Sequence, residues 1–420
     1  MAPTRRQVGK ALFAAGLTAP ALVSTSQGAG NPAPRLYANE LSRSAIRSPQ
    51  EWNAVYERNW GPLGVQSDEQ VRKVLHAEEG YDDRHGVFAW VVHPWIRAFV
   101  ALAESTGNPV YLETAWSFIA TMLKHTDARR IARGEIVENY LQDPLYLKGT
   151  GLGGPFWKQD RTANALHSGQ VVRAILTFAD AVLSNAGQWS DFKDRAARGL
   201  EEAARAVDAF DNDWQERGEG GAYHYRDSSG TGMLGTTRMA FNQSATMVAA
   251  QLILYKHRPG ASRAEKVRRL ARHWLDEYAR FQPDGTVVWR YILIPSETAM
   301  EDAGHATIDL DFLEPAYRSG LTDLTRAHMD ALATTFLKNV LDNKGGLNKF
   351  VDGKTVEKYA DHFNAGFGWA RLARYKPEIL TRVHAVYNTH YRPDGSRGTI
   401  WAQPMLGWAN LLCAGTRCGA

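Results

Sequence analysis

Five times between residues 94 and 390 the chain repeats one unit: an apolar, small-residue-rich helical stretch, a polar turn, and a more charged helical stretch. Such a period decides the fold class before any single motif does. In the first pair Trp95, Phe99 and Leu102, then Tyr111, Ala115, Phe118 and Met122, recur at helical spacing around Thr106-Gly107-Asn108. The second pair covers 163–185 and 191–210, and its second helix sets Arg198, Glu201, Glu202 and Arg205 beside Leu200, Ala204 and Val207. Further pairs cover 239–255 with 262–281, 304–317 with 323–341, and 362–374 with 377–390, and 403–413 reads as a closing helix. Inner helices buried on most sides and outer helices with one wet face are what two concentric rings require. The expected fold is all-α, an α/α toroid of six or seven hairpins; a solenoid of helical pairs is the alternative. Short aromatic strand-like runs, at 223–225, 287–291 and 350–351, precede several inner helices behind glycine-rich turns. No composition shift marks a second domain, so residues 31–420 are expected to form one.

The first 30 residues read differently. Arg5 and Arg6 stand ahead of a modest apolar run, Ala11 to Val23, followed by small residues. A basic head, a short apolar stretch and a small-residue cleavage zone make a signal peptide. The paired arginines and weak hydrophobicity predict the twin-arginine route, hence a periplasmic or secreted protein with no membrane anchor after cleavage. The whole chain carries 49 Lys+Arg against 45 Asp+Glu. Without Arg5, Arg6 and Lys10 the mature balance is 46 against 45, a net +1. So small a charge gives no basic footprint for nucleic acid, and any preference for an acidic partner must come from local pocket residues. Cys413 and Cys418, the only cysteines, would close a short C-terminal loop in an oxidising compartment. No metal-binding motif is present, and no cofactor is expected.

The inner helices open alike: Leu166-His167-Ser168-Gly169, Phe241-Asn242-Gln243-Ser244, Gly304-His305-Ala306-Thr307 and Phe363-Asn364-Ala365-Gly366. In a closed ring these openings face one end, so His167, Asn242, His305 and Asn364 should converge on one mouth. Asn would serve as an N-cap, but His is a poor one. Trp157, Trp214, Tyr223, Tyr225, Trp289 and Tyr291 lie on the loops feeding this mouth. Their rings suit the apolar faces of sugars, with polar tips for hydroxyls; ordinary core filling is the alternative for each. His305 and Asp309 stand at i and i+4, so Asp309 is expected to orient the imidazole. Glu301 and Asp302 precede that helix and would also serve its dipole. Lys354 and Lys358 shortly precede Tyr359, and two such cations would lower the phenol pKa.

With these residues in place the chain resembles the toroidal polysaccharide lyases, specifically polysaccharide lyase family 38, whose members cleave glucuronan or mannuronate-rich alginate. The resemblance spans most of the mature chain through hairpin order and puts the family's Asn, His and Tyr on Asn242, His305 and Tyr359. It implies a metal-free β-elimination on an acidic polysaccharide. Asn242 would stabilise the enolate-like intermediate, and His305 and Tyr359 would carry the proton transfers. His167, Trp289, Tyr291, Lys354, Lys358 and Asn364 would line the substrate. The arginine expected shortly before the Tyr is missing; Lys349, Lys354 and Lys358 stand there instead. Two other classes fit the same ring. A glycoside hydrolase would use paired carboxylates from Glu301, Asp302, Asp309 and Asp160. A non-catalytic glycan-binding protein would keep the aromatics and have no need of His305 with Tyr359.

Overall fold

The computed structural model describes residues 88–124, 165–224, 238–293, 299–342, 344–356 and 359–390, with Glu57, 63–67, Val71, Thr126, Arg129 and most of 406–413. Arg5, Arg6, Trp157, Asp160, Tyr225, Lys358 and Cys418 lie outside the described residues.

The five hairpins expected between residues 94 and 390 are all present. They are α1 (His93–Thr106) with α2 (Val110–Lys124), α3 (Ala165–Ser184) with α4 (Lys193–Asp208), and α5 (Phe241–His257) with α6 (Ala261–His273). Then come α7 (His305–Ser319) with α8 (Arg326–Thr335), and α9 (Asn364–Phe367), extended by a 3-10 turn over Trp369–Arg374, with α10 (Glu378–His390). The turn after α1 is closed by Gly107, whose φ of 70° lets its N–H reach Ala103 O at 2.8 Å.

Burial separates the two rings as the sequence pattern requires. Fifteen of the 20 residues of α3 are buried, against seven of the 16 of α4. Helix α3 packs between α1 and α5, and α5 between α3 and α7. The circle closes where Phe367 of α9 meets His93 edge-on at 6.3 Å and lies 5.8 Å beneath the Arg97 guanidinium, both on α1. The architecture is therefore an α/α toroid. Close approach of α3 and α5 depends on Gly169: a Cβ there would stand 2.5 Å from Thr246 Oγ1 and 2.7 Å from Met247 N.

Two antiparallel hairpins cap one end of the ring, β1 (Trp214–Arg217) with β2 (Gly220–Tyr223) and β3 (Ala279–Phe281) with β4 (Val287–Trp289). Each follows an outer helix and leads to an inner one, so both lie at the mouth. The expected strand at 350–351 is only an isolated bridge, Phe350 to Asp302. Cys413 is disulfide-bonded. No helix among the described residues is long and apolar enough to cross a membrane.

Candidate active site

The opening of α7 organises the mouth. Asp302 accepts hydrogen bonds through Oδ1 from the backbone N–H groups of Gly304 (2.9 Å) and His305 (2.8 Å), capping the helix. Its Oδ2 lies 2.7 Å from His305 Nδ1. The expected partner, Asp309, does not orient the imidazole. Helical side chains lean toward the N-terminus, so His305 points back over the turn holding Asp302, not forward to i+4. Asp309 instead accepts from Trp289 Nε1 at 2.8 Å.

Burial disfavours the His305 cation, but the Asp302 charge and hydrogen bond outweigh it and raise the imidazole pKa. Burial likewise opposes charge on Asp302, yet the same ion pair holds its carboxyl below the ordinary range. The neighbouring acids behave oppositely. Glu301 is fully buried, and desolvation with the Asp309 and Asp302 charges pushes it well above the ordinary carboxylate range. Desolvation raises Asp309 to about 7. Glu301 Oε2 accepts from Asn242 Nδ2 at 3.1 Å, and its Oε1 lies 3.6 Å from His305 Nδ1. Glu301 therefore ties the opening of α5 to that of α7.

Asn364 joins from α9. Its Nδ2 donates to Asp361 O at 2.9 Å and contacts Tyr359 Oη at 3.4 Å. A Cβ on Gly304 would sit 3.1 Å from Asp302 Oδ1 and 3.2 Å from Asn364 Nδ2, so these groups share one small space. Tyr291 stacks on His305 with centroids 5.0 Å apart and planes at 30°. Asn242, His305, Tyr359, Tyr291 and Asn364 thus form one cluster. His167 opens α3 at the same end, against Trp90 at 5.5 Å, and burial lowers its pKa to about 4.

Other expectations need correction. Trp289 does not line the substrate: its indole is fully buried, edge-on to Trp274 and tilted on Trp369. Tyr223 is likewise buried, with Trp214 against its ring at 5.3 Å, so both build the rim from inside. Lys354 turns outward, 79% exposed, onto Asp352 at 2.8 Å. The Tyr359 phenol pKa is raised, not lowered, because burial and the Asp302 and Asp361 charges oppose the phenolate. Among the described lysines, Lys349 is the one whose charge acts on the cluster, on Asp302, His305 and Asp361.

Glu301, Asp302 and His305 each present a ligand-type atom within 4.8 Å of the others. Within the trio His305 Nδ1 and Asp302 Oδ2 are in direct contact, an ion pair set beside the buried Glu301 carboxyl.

The sequence reading missed a second cluster, on the ring axis. Asp311 of α7 accepts from Arg97 Nη1 (2.9 Å) and Nη2 (3.1 Å), from Arg173 Nη1 (2.7 Å) and from Arg371 Nη2. The available signal was a lone arginine inside two apolar runs, Ile96-Arg97-Ala98 and Val172-Arg173-Ala174, with a second acid, Asp311, two residues after Asp309.

No family model and no curated protein matches the sequence. Among solved structures, a sugar epimerase from a ruminal bacterium superimposes with a TM-score of 0.52 at 12% identity, over 79% of this chain and 87% of that one. A cellobiose 2-epimerase from Spirochaeta thermophila gives 0.48 at 13% identity, over 77% and 86%. A polysaccharide lyase gives 0.38 at 12%, over 84% and 98%. The first of these likenesses bears on the fold alone, which it places among α/α toroids.

Proposed function

We propose that this chain is a carbohydrate-active enzyme, a polysaccharide lyase cleaving a 4-linked polyuronate, glucuronan or mannuronate-rich alginate, by β-elimination in the manner of polysaccharide lyase family 38. The supporting observation is the cluster itself: a His–Asp pair, a fixed amide and a half-buried phenol around one mouth. His305, with Nδ1 occupied by Asp302, has Nε2 left for substrate. As general base it would take the C5 proton. Asn242, held by Glu301, would hydrogen-bond the uronate carboxylate as charge builds on it. Tyr359, kept neutral by burial, would protonate the departing O4, after which the C4–C5 double bond remains.

Among the described residues, the carboxylates named for the hydrolase alternative suit it poorly. Glu301 and Asp309 are fully buried, with Asp309 held by Trp289, and Asp302 is engaged by His305 and the helix cap. A hydrolase needs two carboxyls facing the scissile bond. Turnover of glucuronan and of mannuronate-rich alginate, followed by ultraviolet absorbance of the unsaturated product, tests the reading. Products lacking the double bond would remove it.

Export by the twin-arginine route belongs to the same proposal, and the Cys413 disulfide fits an oxidising compartment. Changing Arg5 and Arg6 together to Lys should strand the precursor in the cytoplasm; normal export would exclude that route.

A further inference from the structure

We infer that the arginine cluster around Asp311 is an electrostatic selector, making the mouth prefer a carboxylate-bearing sugar to its neutral counterpart. The inference rests on the mouth being the sugar site, though not on the elimination step. Three guanidinium groups, from α1, α3 and the 3-10 turn after α9, surround one carboxylate from α7, leaving a net +2. Arg97 and Arg173 side chains are 8% and 7% exposed, so bulk water screens them little. Crowding is visible in Arg97, whose pKa falls to about 10 through burial and Arg173 repulsion, while Asp311 stays well below the carboxylate range despite burial.

The next carboxylate down the axis does not cancel the surplus. Glu314 lies 3.9 Å from Arg371 and 3.8 Å from Arg374, so the charge it adds is offset by a cation outside the trio. Nor does the mouth cancel it. Glu301 and Asp309 are pushed toward their neutral forms, Asp302 is paired with His305, and Asp361 faces the Lys349 charge. Asp311 stands six residues beyond His305 on one helix, a rise of about 9 Å. Among the described residues a positive surplus thus lies beneath the mouth.

At about 10 Å, two unit charges acting on one carboxylate favour it about fourfold under water-like screening and over a hundredfold at an effective dielectric near 20. The test compares calorimetric binding of β-1,4-linked diglucuronate and cellobiose, which differ at C6. The unaltered protein should prefer diglucuronate by about tenfold or more at low salt. Arg371→Gln removes one of the two surplus charges, so the preference should fall toward its square root with cellobiose affinity unchanged. Arg371→Lys should restore it, and Asp311→Asn should widen it. Arg374→Gln, at a side chain 44% exposed, leaves no buried gap and should lower the preference in the same direction if Arg371→Gln fails to fold. Equal binding of the two disaccharides, or an unchanged preference in the folded neutral variants, would overturn the selector. Preference without unsaturated product would remove the lyase chemistry and keep the selector; unsaturated product without preference would do the reverse.

Discussion

Asp302→Asn separates the two duties of one side chain. Asn caps a helix about as well as Asp, so the bonds from Gly304 and His305 N–H to Oδ1 should survive. The 2.7 Å contact to His305 Nδ1 changes character, because an amide N–H₂ there would donate where Oδ2 accepted. His305 would then carry its proton on Nε2, the wrong tautomer for a base. A general acid–base group contributes about 10²–10⁴-fold, so kcat/KM on glucuronan should fall within that range. Loss of a charge-assisted hydrogen bond should cost about 1.5–3 kcal/mol in urea unfolding. The sign of its pH dependence follows from the two shifts. His305, raised above 6.5, contributes fully below that value and loses its contribution as pH rises through its folded pKa. Asp302, depressed below 3.8, contributes above that value and loses it as pH falls through its folded pKa. The stability deficit of the variant should therefore be largest between about pH 4 and 6.5 and shrink at alkaline pH. In the unaltered enzyme the acidic limb of activity should lie above pH 6.5, and in the variant it should move down, since burial alone lowers the imidazole. A folded Asp302→Asn protein with near-normal turnover and an unmoved acidic limb would refute the assignment of the His–Asp pair.

Tyr359→Phe keeps the ring and deletes the hydroxyl, so thermal stability should hold while turnover drops about 10²–10⁴-fold; full activity would exclude the phenol as the acid. Trp289→Phe strips Asp309 of its buried donor and should cost about 1–3 kcal/mol in chemical denaturation; an unchanged midpoint would contradict a structural role for the indole. Gly169→Ala sets a methyl against Thr246 and the Met247 backbone and should destabilise by about 1–3 kcal/mol, read as a lowered urea midpoint without a comparable loss in kcat per folded molecule.

Local signals carried the architecture. Helical periodicity, turn residues and the contrast between apolar and charged partners depend on residues within a few positions of each other. They placed the openings at His167, Asn242, His305 and Asn364 within two residues of the observed helix starts at Ala165, Phe241, His305 and Asn364. They marked one strand of each hairpin, at Tyr223 and at Val287–Trp289, but not β1, and they read β3 as the end of the helix over 262–281; the ring then brought Asn242, His305 and Asn364 together. What each side chain touches was decided by tertiary structure. An aromatic on a mouth loop reads the same whether it faces sugar, as Trp289 was expected to, or anchors a buried acid, as it does. Lys354 and Lys358 shortly precede Tyr359 in sequence, yet the phenol answers to burial and to Asp302, which only folding brings near. The axial arginines show the limit most plainly. Arg97, Arg173 and Arg371 lie 214, 138 and 60 residues from Asp311 along the chain. Each is an unexplained charge within its own helix, and closure of the ring alone makes them partners. Periodicity is a property of a segment, whereas electrostatics at a site sums over every segment that the fold delivers there.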